Sequence, residues 1–137
     1  MSAAAKPLAL PRSRRLKQSR EFAQVRRDGE RLVHGCLIAN WRRLAPGAVS
    51  RLGVVTGRAL GRAVIRNRAR RWLREAFRVH QAELTAPVEL VLVARPSILK
   101  CSWRDVENDF LTVMRRAGLL KPDAASALAA PQSNSLS

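Results

Sequence analysis

The chain has no tyrosine, three phenylalanines, three tryptophans, two histidines, two cysteines and only 10 acidic residues in 137. Each scarcity excludes something. Six aromatics are too few for a module that threads single strands over rows of stacked rings, and no RNP1-type aromatic octapeptide or KH-type GXXG loop occurs. A protein nuclease needs positioned acid and base groups or a carboxylate metal cage, and two histidines with sparse carboxylates supply neither. His80 ends a helical pattern and reads as solvated or facing the helix dipole; His34 offers nothing more specific. No motif pairs a Ser, Cys or Thr nucleophile with a base. Cys36 and Cys101 stand far apart, with no C-x-x-C and no Cys/His cluster at ligand spacing, so they are expected to be reduced and structural, with no metal bound. No apolar run approaches the roughly 20 residues of a membrane span, and the opening MSAAAKPLALPRSRR lacks the apolar stretch of a signal peptide. The expected location is cytoplasmic, with no membrane partner.

Positive charge is what the chain has in excess. Its 26 lysines and arginines, 22 of them arginine, give a net charge of +16, a self-repulsion that an anionic partner relieves. The charge concentrates in GRAVIRNRARRWLREAFRVH, residues 61 to 80. At about 100° per residue, Ile65, Ala69, Trp72, Leu73, Ala76 and Phe77 share one side of a helix. Asn67, Arg68, Arg70, Arg71, Arg74 and Arg78 share the other, and between Arg62 and Arg78 only Glu75 is acidic. Ordinary solvated faces mix signs. A one-signed arginine face suits phosphate, because the guanidinium fork grips two oxygens at once and its plane stacks on bases.

The length suits one domain, expected over residues 14 to 120, with a basic tail at 1 to 13 and an Ala/Ser/Pro/Asn tail at 121 to 137, both lacking periodicity and expected to be disordered. Ser19 as N-cap, Glu21 in the first turn, the pair Phe22 and Val25, and Gly29 as a stop predict a short first helix exposing Arg20, Arg26 and Arg27. Leu32 to Trp41 reads as one strand, with Leu37, Ala39 and Trp41 on one face and Cys36, Ile38 and Asn40 on the other. A turn at Leu44-Ala-Pro-Gly47 and a β-rich run from Arg51 to Thr56 then predict an antiparallel hairpin of the two strands. Gly57 and Gly61 flank Arg58, but neither G-x-x-x-x-G-K-[ST] nor G-x-G-x-x-G is present. Val88 to Ala94, nearly all apolar, predicts the central strand. Ser102 with Asp105 predicts a capping box ahead of the stripe Val106, Phe110, Val113, Met114 and Ala117, which Gly118 ends. The order α, β, β, α, β, α predicts an α+β two-layer sandwich of helices on a small mixed sheet.

The string from Gly61 to Arg78 closely resembles the signature helix of the bacterial ribonuclease P protein subunit, G-x-A-V-x-R-N-R-x-[KR]-R-x-x-R-E-x-[FY]-R. Arg15-Leu16, Phe22, Val25 and Gly29 resemble that family's first helix, and Arg51 to Thr56 and Val88 to Arg95 the strands on either side of the motif, so about residues 14 to 118 are covered. The resemblance implies an accessory subunit of an endoribonuclease whose catalytic RNA, with Mg2+, removes the 5′ leader of precursor tRNA. The protein itself would carry no catalytic residue and bind no cofactor. It implies that Arg66, Asn67, Arg68, Arg70, Arg71 and Arg74 contact the catalytic RNA, with Arg58 and Arg62 extending the patch. It implies a left-handed crossover through the long helix, and a leader-binding cleft between the first helix and the sheet that maps to Phe22, Arg26, Leu37, Ala39 and Trp41. Arg26 and Ala39 stand where the family often has aromatics, and Gly57-Arg58-Ala59 replaces its Ser-Lys-Lys. A ribosomal or other structural RNA-binding protein would share the charge and the missing active site. A helix-turn-helix DNA regulator is disfavoured by β-rich runs on both sides of the arginine helix, so no DNA partner is expected.

Overall fold

The computed structural model describes residues 15, 16 and 19–121; the two expected tails lie almost wholly outside them. The described residues form α1 (Ser19–Asp28), β1 (Glu30–His34), β2 (Leu37–Arg43), β3 (Arg51–Val55), α2 (Ala63–His80), β4 (Val88–Ala94) and α3 (Trp103–Arg116), with short 3-10 turns at Arg58–Leu60, Gln81–Glu83 and Pro96–Lys100. The sheet order is β1-β2-β4-β3.

β4 is central because its sequence is apolar on both faces. Val88, Leu90 and Leu92 are buried toward α2 and α3, while Val91 is buried on the other side against Leu16 and Val25. A strand covered on both faces takes a partner on each edge. β2 pairs with it antiparallel and β3 pairs with it parallel, so the chain crosses from β3 to β4 through α2. The expected hairpin of the 32–41 and 51–56 runs is therefore wrong: β4 lies between them. The 32–41 run is itself two strands, β1 and β2, paired antiparallel from Glu30↔Trp41 to His34↔Leu37. Its break is Gly35, whose φ of +57 opens a two-residue turn that most side chains would strain.

The side-chain period of two sorts each strand. Toward α2 and α3 point Leu37, Ala39, Trp41, Leu52 and the even-numbered residues of β4; they pack with Ala69, Leu73, Ala76, Phe77, Val106, Phe110, Val113 and Met114 into the main core. Toward α1 point Gly53, Val55, Val91 and Val93, meeting Leu16, Phe22 and Val25 in a smaller cluster. Gly53 is bare because a Cβ there would sit 2.6 Å from the Phe22 ring. Gly29 is bare because a Cβ would fall 2.1 Å from the Trp41 carbonyl oxygen, so α1 turns onto β1 in close contact with β2.

α1 is also tied to the sheet by charge. Glu89, buried on β4, accepts from Arg42 at 2.8 Å and Arg51 at 3.4 Å, and Arg51 reaches Glu21 of α1 at 2.7 Å. The α3 capping box forms as expected: Asp105 N donates to Ser102 Oγ at 3.1 Å, and Ser102 N to Asp105 Oδ2 at 2.9 Å. Gly118, at φ +75, ends that helix. Ser19, expected to precede the helix, is itself helical within α1.

Trp41 is 3% exposed inside the main core. Trp41→Ala should therefore destabilise the fold by about 3–5 kcal/mol, read as a drop in the denaturant midpoint with RNA absent.

Candidate nucleic-acid interface

The long helix α2 presents its apolar stripe to the sheet and α3, burying Ala69, Leu73, Ala76 and Phe77. Its other side is a concavity of about 360 Å³ lined by Arg15, Asn67, Arg70, Arg71, Arg74, Glu75 and Arg78. Some of these guanidiniums are held in place. Arg70 donates to Thr56 Oγ1 at 2.6 Å and bonds the Asn67 side chain, and Arg78 bonds Glu75. Arg74 pays for its place: burial, with Arg15 and Arg70 as like-charged neighbours, lowers its pKa. A phosphate entering this concavity would remove that repulsion and satisfy several donors at once.

The expected arginine face divides in two. Asn67, Arg70, Arg71 and Arg74 line the concavity, but Arg68 lies on the opposite flank, its guanidinium 5.1 Å from the Trp72 ring centroid in a cation–π contact beside Ile98 and Leu99. Arg66 is half-buried, and its Nε is buried without a hydrogen-bond partner among the described residues. Arg58 and Arg62 are exposed ahead of the helix.

A further feature is the helix start. Arg62 is the N-cap and makes no side-chain hydrogen bond to the helix, and the first turn contains no acidic residue. The first amide N–H groups and the positive end of the helix dipole thus sit beside Arg58 and Arg62, a setting that attracts anions. The signal was present in the sequence as the lack of Ser, Thr, Asp or Asn before Ala63.

The expected second surface needs correction. Leu37, Ala39 and Trp41 are 0%, 0% and 3% exposed, all in the main core beneath α2 and α3. They share one face, as the alternation required, but it is the face away from α1. The residues that α1 overlooks are their alternates. Ladder register sets Val33, Ile38, Val93 and Val55 in one row across all four strands. Val33 is exposed and Ile38, Val93 and Val55 are half-buried. Phe22 is half-buried over Gly53 next to this row, and Arg26 is exposed one turn further along α1. Phe22 thus stands beside a partly open apolar row, with Arg26 exposed on the same helix, while Leu37, Ala39 and Trp41 lie on the opposite face.

The histidines and cysteines also acquire partners. His80 is not solvated: its ring bonds Glu83 at 2.7 Å and Glu107 at 2.8 Å and stacks on Phe110, joining the end of α2 to α3. Cys36 and Cys101 come together with Asp109, a meeting that their separation in sequence concealed. Among the described residues no helix is long and apolar enough to cross a membrane.

The Ribonuclease P family model matches residues 10–118. The ribonuclease P protein component of Syntrophomonas wolfei subsp. wolfei is 36% identical over 115 residues, covering 84% of this chain and 96% of the relative. That of Chloroflexus aggregans is 36% identical over 112 residues, covering 80% and 81%. Among solved structures, the RNase P protein of Staphylococcus aureus superposes with a TM-score of 0.72 at 22% identity, over 79% of this chain and 98% of that one, a likeness of fold. The RNase P protein from Thermotoga maritima gives 0.66 at 27% identity, over 74% and 96%. The family model spans both the arginine helix and the four-stranded sheet, the relatives match over most of the chain, and the chain belongs to the ribonuclease P protein family.

Proposed function

We propose that this chain is the protein subunit of a ribonucleoprotein endonuclease: it binds the catalytic RNA and the 5′ leader of precursor tRNA and assists leader removal, while the RNA carries the chemistry. The observation that carries the reading is the arginine concavity on α2, where crowded guanidiniums face outward beside an uncapped helix start. Such a surface binds phosphate by charge and shape without reading sequence. Arg70, Arg71, Arg74 and Asn67 would grip the RNA backbone from the concavity. Arg58, Arg62 and Arg66 would extend that grip around the helix start, and Arg68, braced on Trp72, would meet the RNA from the other flank.

The leader would lie along the apolar row beside α1, with Phe22 offering a ring to a base, Arg26 a charge to the phosphates, and Ile38, Val93 and Val55 the apolar floor. Magnesium belongs with the RNA in this scheme. It needs hard oxygen ligands, whereas the concavity is lined by cations and the donor cluster with metal-ligand spacing among the described residues contains two thiols. No step on the protein is routed through it.

Three outcomes test the proposal. Nuclease-free protein alone should leave a 5′-extended tRNA intact, and adding the same organism's catalytic RNA at low magnesium should release the leader faster than RNA alone; cleavage by the protein without RNA would overturn the division of roles.

Replacing Arg70, Arg71 and Arg74 together by Ala should weaken catalytic-RNA binding and make its log–log salt dependence shallower by about 2, at roughly 0.7 per lost phosphate contact. Circular dichroism of the free protein should keep its helical signal. An unchanged salt slope would make these arginines scaffold rather than contact.

Phe22→Leu keeps apolar bulk over Gly53 but removes the ring. It should cost about 1–3 kcal/mol in binding leader-bearing precursor to the assembled enzyme and leave mature tRNA unaffected; equal losses for both would show that Phe22 only packs.

A further inference from the structure

Three segments remote in sequence meet at the tip of the β1–β2 hairpin. Cys36 is the second residue of its turn, Cys101 follows the Pro96–Lys100 turn, and Asp109 lies in the second turn of α3. One ligand atom from each, two sulfurs and a carboxylate oxygen, lie within 4.8 Å of one another. With zinc–sulfur bonds of about 2.3 Å and zinc–oxygen bonds of about 2.1 Å, neighbouring donors on a tetrahedron stand about 3.5 to 3.8 Å apart. A small inward turn of the side chains covers the difference.

The surroundings hold these donors in place. The Cys36 N–H donates to Asp109 Oδ2 at 3.0 Å, and His34, outside the three-donor group, stands with Nε2 3.7 Å from Asp109 Oδ1. Gly35 makes room for the carboxylate, since a Cβ at that position would lie 2.2 Å from Oδ2. The turn is fastened from the other side by Arg95, whose Nη1 donates to the Gly35 carbonyl at 2.9 Å and whose N–H donates to that of Cys36 at 2.9 Å. Neither thiol is disulfide-bonded.

A soft divalent cation bound here would take the place of the two thiol protons. Two thiolates, a carboxylate and an imidazole suit zinc, not magnesium. The arginine surface has no use for this cluster.

We propose that Cys36, Cys101 and Asp109 bind one Zn2+ ion that ties the hairpin tip and the start of α3 together, with the His34 ring turning in from beside Asp109 to close the fourth position. Four protein donors make this a closed, structural site. The ion joins segments that the backbone ladder leaves separate.

Co2+ titration into the tag-free, full-length, reduced and metal-stripped protein tests it, because cobalt occupies zinc sites and reports thiolate ligands by absorption. One equivalent should produce a thiolate-to-cobalt charge-transfer band together with the visible bands of tetrahedral cobalt, and one equivalent of Zn2+ should remove both. Cys101→Ser, at a half-exposed position that spares the core, should lose charge-transfer intensity with an unchanged circular dichroism spectrum. Cys36→Ser should do the same, and Asp109→Asn, which removes a charged ligand, should weaken cobalt binding. Absence of the band while both thiols titrate as reduced would overturn the proposal, as would a band that survives in the Cys36→Ser/Cys101→Ser double variant. A Cys36–Cys101 disulfide in freshly isolated protein, with no cobalt band after reduction, would replace the metal site by a redox pair and overturn it equally.

Discussion

The fold depends on one strand that is apolar on both faces. β4 cannot lie at an edge or on a surface without exposing a run of valines and leucines to water, so it takes β2 on one side and β3 on the other and is covered above and below. That single requirement produces the parallel β3–β4 pair and hence the crossing through α2. It also produces the two unequal layers: a large core under α2 and α3, and a thin one under α1. The exception on β4 is Glu89. Buried between Arg42 and Arg51, it begins a chain of charge that runs through Arg51 to Glu21 and fastens α1 to the sheet. Removing either end would strand a partly buried charge, which is where such pairs matter more than exposed ones.

The two layers give the molecule two different surfaces. On α2 the stripe that anchors the helix leaves the arginines outward, and burial, together with the like charges of Arg15 and Arg70, lowers the pKa of Arg74. An anionic partner converts that repulsion into affinity, so the feature that costs stability is the one that binds. The surface beside α1 follows another principle. α1 is only 10 residues long and cannot cover a four-stranded sheet, so the Val33–Ile38–Val93–Val55 row remains partly open next to Phe22. One surface is a charged concavity; the other is a partly open apolar row with a ring at its side.

Periodicity and charge are local properties, and the features that rest on them were legible in the chain itself. The amphipathic α2, the two-faced β4, the Ser102–Asp105 cap, the helix stop at Gly118 and the excess of arginine all follow from residues within a turn or two of one another. So does the alternation of Leu37, Ala39 and Trp41 against Ile38 and Asn40. The family resemblance likewise rests first on one contiguous helix, with shorter local matches in α1, β3 and β4.

Which face of β2 meets which helix is not a local property. A period of two says that Leu37, Ala39 and Trp41 point together, and nothing in it says whether α1 or the α2–α3 pair lies there; only assembly of the sheet around β4 placed them in the main core. The same assembly separated Arg68 from Arg70, because a turn of α2 that looks uniform on a helical wheel meets Trp72 and Ile98 on one flank and Arg15 on the other. The meeting of Cys36, Cys101 and Asp109 has the same origin. Local sequence determined the elements, their apolar faces and the one-signed charge of α2. Contacts between elements far apart in the chain decided strand order, the apolar row beside α1 and the thiol cluster, because each depends on which remote segment supplies the opposite wall.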